Sequence, residues 1–132
     1  MMFKIEPIQD KSRQKELCEA FEIEYNEDFF GYYMYNLNTG VPMGMSQFEI
    51  NGESGYIKDI VEYKGLNDGE AMFILGRQTM NFIDICGAHL CYAREDAAQN
   101  NLLSAIGFKE KTKDGLLFCD MTGMFSGNCK NH

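Results

Sequence analysis

Hydrophobic positions along the chain change period several times, and each change marks an element. Phe3, Ile5 and Ile8 form a short first strand that ends at Pro7-Ile8. Asp10 can cap a helix over about 11–25 in which Leu17, Cys18, Phe21 and Tyr25 recur at helical spacing, with Lys, Arg and Glu on the other face. From Phe29 to Leu37 the composition turns aromatic and strand-forming, and Asn38-Thr39-Gly40 supplies the positive-φ turn of a hairpin. The partner strand runs from about Val41 to Ile50, and a turn at Asn51-Gly52-Glu53-Ser54 leads into a fourth strand, Tyr56 to Glu62. Strands two, three and four therefore read as a meander.

The fourth strand breaks the rule of alternation. Ile57, Lys58, Asp59, Ile60 and Val61 set two polar residues side by side and then two apolar ones. A β-bulge near Asp59 or Ile60 restores both faces; a strand buried on both faces, with a lysine reaching out to solvent, is the other reading. The polar run from Tyr63 to Ala71 then feeds a helix that continues to about Asp84. Such a junction of strand, glycine-bearing loop and helix start presents free N–H groups and the positive end of a helix dipole, which together can hold a phosphate. Ala88 to Ala93 is a fifth strand, and Asp96 is placed to cap a third helix with Ala98, Leu102, Ala105 and Ile106 on one face, closed by Gly107. Phe108 to Lys111 and Leu116 to Met121, turned by Lys113-Asp114-Gly115, make a last hairpin. The order β-α-β-β-β-α-β-α-β-β describes an α/β chain with one mixed sheet and helices on its faces. Residues 1–125 are expected to form one domain and 126–132 a flexible tail.

Composition narrows the partners. The chain has 132 residues, 45% of them hydrophobic, which is enough for one core without disulfide or metal staples. The most apolar stretch, Ala71 to Phe82, contains Gly76, Arg77, Gln78 and Asn81, too polar and too short for a membrane span. The first residues, Met1 to Glu6, lack the pattern of a secretory signal, so the expected location is cytoplasmic. A net charge of −8 with scattered Lys and Arg argues against nucleic acid as a partner. That field favours a cationic ligand such as an amine, and also serves solubility. The five cysteines contain no CxxC pair; Cys18, Cys91 and Cys119 lie in apolar segments and read as small buried hydrophobes. Cys129 and His132 are spaced like two metal ligands, but no second pair accompanies them and no metal is expected. A lone His89 reads as structural, and the aromatics Phe29, Phe30, Tyr32, Tyr33 and Tyr35 as core and cross-strand packing.

Two segments carry a resemblance. Val61-x-x-x-x-Leu66-x-x-Gly69-x-Ala71 is similar to the first signature of the GNAT superfamily of N-acetyltransferases: a strand-ending Val, then Gln or Arg, two residues, Gly, one residue, Gly or Ala. The stretch from Asp96-Ala97-Ala98-Gln99 to Ile106-Gly107-Phe108 is similar to the second, which ends in Leu-Gly-Phe after a short helix. With the element order, the resemblance covers Phe3 to Met121. It implies a GNAT-like, mostly antiparallel central sheet and acetyl transfer from acetyl-CoA, as co-substrate, to an amine of a small molecule or protein by direct attack. It further implies a pyrophosphate cradle at Leu66, Asn67, Asp68, Gly69, Glu70 and Ala71, with Asp96 at the second signature. The pantetheine arm would pair with backbone near Ile60 and Val61, where an N–H can polarise the thioester carbonyl. Asp59 is the expected general base, Glu62 the next candidate, and Tyr92 or Tyr63 the phenol for the leaving thiolate.

The departures define a second hypothesis. Leu66 stands where the family has Gln or Arg, Tyr63 where proline is common, and Leu103 where a tyrosine often protonates the thiolate. Asp68 and Glu70 bring negative charge to the cradle, and Asn67 followed by Glu70 reads as a capping-box variant that satisfies the helix-start donors internally. The alternative to an active transferase is thus a catalytically silent GNAT-like binding domain. A homodimer through an exposed edge strand is compatible with either.

Overall fold

The computed structural model describes residues 2–125, and the expectations for Cys129, His132 and the tail lie outside them. Its elements are β1 (Phe3–Pro7), α1 (Lys11–Phe21), β2 (Phe30–Asn36), β3 (Pro42–Asn51), β4 (Ser54–Glu62), α2 (Gly69–Ile85), β5 (Leu90–Ala93), a 3-10 turn (Glu95–Ala97), α3 (Leu102–Ile106), β6 (Glu110–Lys111) and β7 (Leu117–Asp120). They form one seven-stranded sheet in the order β1-β2-β3-β4-β5-β7-β6. Every neighbouring pair is antiparallel except β4 and β5.

Alternation sorts the side chains onto two faces. On one, α2 and α3 cover the main core: Met34, Phe48, Ile57, Ile60, Leu75, Met80, Ile83, Ile106 and Phe108 are all buried there. Gly55 lets α2 approach, since a Cβ at this position would stand 2.4 Å from Ile83 Cγ2. On the other face α1 packs Leu17 and Cys18 onto Met45, flanked by Tyr33 and Val61. α1 ends four residues earlier than its apolar spacing predicts. Glu22 takes a left-handed conformation (φ 62°), and the Ile23 N–H returns to the Cys18 carbonyl at 2.9 Å, so Ile23 folds back onto the core.

The bulge is real and sits one residue before its expected place. Gln47 pairs with Asp59 and Phe48 with Ile57, leaving Lys58 as the extra residue. The predicted third helix is corrected more substantially. Asp96 caps nothing; it lies in the 3-10 turn with its carboxylate 3.2 Å from Arg94 Nη2. Asn100 and Asn101 both adopt positive φ (59° and 60°), a conformation asparagine tolerates, and they delay α3 to Leu102.

Burial governs the cysteines. Cys18 is lifted to about 11 by burial and by the nearby Asp59 charge, and Cys91 and Cys119 are raised by burial, whereas Cys86 is exposed. Because the thiolate is the reactive form, native protein at pH 8 should be alkylated at Cys86 well before these three. Peptide mapping after brief alkylation checks this order. The stability carried by a protonated Cys18 is complete below the free-thiol range and is lost as pH rises towards 11. Separately, Gly55→Ala should lower unfolding stability by about 1–3 kcal/mol through overpacking against the stiff Ile83, as read by urea denaturation.

Candidate functional site

β4 and β5 pair over only four positions, from Ser54↔Leu90 to Ile57↔Ala93. Beyond them β4 continues through the Lys58 bulge to Glu62 while the chain after Ala93 turns into the 3-10 segment. The sheet therefore opens on one edge of β4. The Tyr63 N–H donates to the Met43 carbonyl, and antiparallel alternation then turns the Val61 backbone towards β3. The N–H and C=O of Ile60 and Glu62 consequently face the side that β5 has left.

This opening is one wall of a cavity of about 750 Å³. Phe21, Glu22 and Ile23 from the end of α1 close one side, Met72 and Phe73 of α2 another, and residues 96–100 the side facing β4. Of the residues expected from the sequence, Ile60, Val61, Asn67, Gly69 and Asp96 line it, as do the second-choice candidates Glu62 and Tyr63. Asp59, Leu66, Asp68, Glu70, Ala71 and Tyr92 are not among its lining residues. Leu66 packs on the core, Ala71 is buried, Glu70 is exposed, and Tyr92 lies against Phe118 with ring centroids 5.2 Å apart. Leu103 is buried and Tyr63 stands edge-on to Phe21.

The helix start is partly capped by the protein itself, though not by the residues expected. Asp68, not Asn67 with Glu70, is the N-cap: its Oδ1 accepts from the Ala71 N–H at 3.0 Å. The Glu62 carboxylate accepts from the Asp68 N–H at 2.6 Å, so β4 is tied to the loop. Asn67 is held at positive φ (54°) to shape that loop. The N–H groups of Gly69 and Glu70 have no protein acceptor among the described residues. A Cβ at Gly69 would meet nothing within 4 Å, so this first turn opens outward. Lys64 is the cation lining the cavity, 3.5 Å from Glu22.

Asp59 belongs to a different arrangement, on the α1 face. Its Oδ2 accepts from Gln47 Nε2 at 2.9 Å and Lys58 Nζ at 3.1 Å, and both donors also reach the Glu24 carbonyl. Gln47 Oε1 in turn accepts from Gln14 Nε2 and the Cys18 thiol, and Gln14 reaches the Phe29 carbonyl. The bulge turns Lys58 and Asp59 into this buried network, which ties residues 24–29 to the sheet. Gln14 and Gln47 have no sequence signal beyond lying on strongly patterned elements; only their mutual placement makes them partners. Among the described residues, no group of three or more His, Cys, Asp or Glu is arranged to hold a metal.

Two substitutions test this geometry. Asp68→Ala should cost about 1 kcal/mol by removing the cap. Gln47→Leu should cost more, about 2–4 kcal/mol, because it removes the acceptor of one Gln14 amide N–H and, at the same time, a donor to Asp59 and to the Glu24 carbonyl. Urea unfolding of both variants beside the wild type measures the order.

No protein-family model and no curated protein matches the chain. Solved structures do match at the level of fold. A mutant AtaT toxin bound to the C-terminus of the antitoxin AtaR superimposes with a TM-score of 0.68 at 13% identity, covering 97% of this chain and 99% of that one. The ribosomal-protein-S18-alanine N-acetyltransferase from Escherichia coli gives 0.66 at 11% identity, covering 91% and 94%. A GNAT family acetyltransferase from Brucella melitensis in complex with acetyl-CoA gives 0.66 at 12% identity, covering 90% and 88%. Among the described residues, no helix is long and apolar enough to cross a membrane. This chain has the fold of these acetyltransferase structures, at 11–13% sequence identity to the three.

Proposed function

We propose that the chain binds acetyl-CoA in the cleft between β4 and β5 and transfers the acetyl group to an amine. The observation that carries this reading is the parting of the two strands after Ile57 and Ala93, which leaves the backbone of Ile60 and Glu62 facing a 750 Å³ cavity. A pantetheine arm carries amides that pair with such an unpartnered strand edge, and the Ile60 N–H is the donor for the thioester oxygen as negative charge develops there. The free N–H groups of Gly69 and Glu70 and the ammonium of Lys64 are the groups for phosphate. When bound, acetyl-CoA supplies an activated acyl group, and the amine nitrogen displaces the thiolate directly.

The proton roles follow from what lines the cleft. Glu62 is better placed than Asp59 to take the amine proton, because Asp59 Oδ2 is held by Gln47 and Lys58 outside the cavity. Tyr63 is likewise better placed than Tyr92 to protonate the leaving thiolate, since Tyr92 packs on Phe118. The acceptor approaches past Glu22 and Glu62, whose charges suit a cation.

A second reading is favoured by the capping of the helix start. Asp68 and Glu62 occupy two of the donors that a phosphate takes, and Leu103 supplies no proton. In that reading the domain is a catalytically silent binding module.

A thermal-shift titration separates the two. Acetyl-CoA at 100 times its dissociation constant adds about 2.7 kcal/mol, a rise of several degrees for this size. Gly69→Glu, which projects into open space, should abolish the rise without unfolding the protein. Glu62→Gln should tighten coenzyme A binding, by removing a carboxylate from the cradle, yet lower acetyl transfer to an amine in a thiol-release assay. No saturable shift at millimolar ligand overturns the transferase reading in favour of the silent module.

A further inference from the structure

The hydrogen-bonded group of Gln47, Lys58 and Asp59 lies outside the cleft, yet it holds one of the cleft's walls. Phe21, Glu22 and Ile23 line the cavity from the end of α1. The groups assigned to the cofactor are elsewhere: the backbone of Ile60 and Glu62, the N–H groups of Gly69 and Glu70, and Lys64. On the α1 side the N–H groups of Glu22 and Ile23 are already donated to the Glu19 and Cys18 carbonyls, so neither is free for a phosphate, and the Glu22 carboxylate repels one. This wall suits a cation.

The wall begins an irregular segment, 22–29, that belongs to no helix or strand and has no ladder to fix it. Side chains fix it instead. The Glu24 carbonyl accepts from Gln47 Nε2 at 2.9 Å and from Lys58 Nζ at 3.1 Å, and no backbone N–H among the described residues reaches it. One acceptor aims both donors: Asp59 Oδ2 stands 2.9 Å from the first and 3.1 Å from the second. Gln47 is fully buried, and the side chains of Lys58 and Asp59 are only 20% and 15% exposed, so water replaces these bonds poorly. The Glu22–Lys64 pair at the mouth is highly exposed and contributes little beside them.

We propose that Gln47, Lys58 and Asp59 are positioning residues for the acceptor wall. Asp59 gathers the two donors, the donors fix the Glu24 carbonyl, and the fixed segment sets Glu22 and Ile23 against the cleft, where the amine must be held in line with the thioester. Lys58 can serve because it is the extra residue of the bulge, so the register shift that ends the pairing with β5 also supplies the anchor of the facing wall. The acceptor half of this assignment rests on the transferase reading; the anchoring half rests on the hydrogen bonds alone.

The full chain tests both halves with Lys58→Met, the conservative Lys58→Arg, and Asp59→Asn. Cleavage after Glu24 and Glu27 by a glutamyl endopeptidase, mapped by mass spectrometry, should be about tenfold faster in Lys58→Met than in the wild type and near the wild-type rate in Lys58→Arg, with unchanged circular dichroism spectra. The acetyl-CoA thermal shift should be the same in all of them. In a thiol-release assay with methylamine, putrescine and lysinamide, Lys58→Met should raise KM for the amine about tenfold while kcat stays within about twofold, and Lys58→Arg should restore KM. Wild-type cleavage rates in both Lys58→Met and Asp59→Asn overturn the anchoring. Loss of the acetyl-CoA shift in Lys58→Met, or a fall in kcat at unchanged KM, overturns the acceptor role. A wild type that shows no acetyl-CoA shift, or acetylates none of these amines, removes the acceptor role together with the transferase reading, while the cleavage rates still decide the anchoring.

Discussion

The architecture turns on the short parallel pairing of β4 with β5. Parallel strands need a crossover, and here α2 supplies it, so the helix start must lie where β4 ends. The pairing stops at Ile57 because the next residue of β4 is the bulged Lys58, and a bulge raises local twist and turns the strand away from its neighbour. Cavity, exposed strand edge and helix start are thus products of one register shift. The same shift sends Asp59 towards α1 and Ile60 towards α2, which lets two separate packing arrangements share one strand.

Two groups of carboxylates behave differently around this opening. Asp59 is compensated: an ammonium and a buried amide hold one of its oxygens, and the resulting network secures the segment after α1. Glu62 and Asp68 instead use backbone N–H groups at the start of α2, where the helix dipole favours negative charge. That arrangement stabilises the loop and competes with any anion that would use the same donors. The N–H groups of Gly69 and Glu70 are the two of that first turn left without protein acceptors among the described residues.

Sequence periodicity carried most of the fold, because each element has an apolar pattern of the right period over its length. α2 and the meander of β2, β3 and β4 came out within a residue or two of their predicted limits. The failures share a cause. Tyr25, Asp96 and Asn67 each carry the side chain appropriate to the role predicted for them, but a neighbour had the better geometry: Glu22 reversed the chain earlier, Asn100 and Asn101 broke the third helix, and Asp68 stood at the cap. Local choices among adjacent polar residues differ by about 1 kcal/mol, within the reach of packing elsewhere.

The sequence alone determined the order of elements, the two-faced sheet, the break of alternation in β4 and the glycine-bearing start of α2, since these rest on period and on backbone constraints that act over a few residues; that the break is a bulge was decided by the pairing with β3. Tertiary structure decided which side chains share the cleft. Glu62 and Tyr63 line it while Asp59 and Tyr92 do not, because a one-residue change in the position of the bulge, and the packing of Tyr92 on Phe118, redirect side chains that are neighbours in sequence. The Gln14, Gln47 and Asp59 network was likewise decided there, for its members are separated by up to 33 residues between hydrogen-bonded partners and meet only when α1 settles on β3.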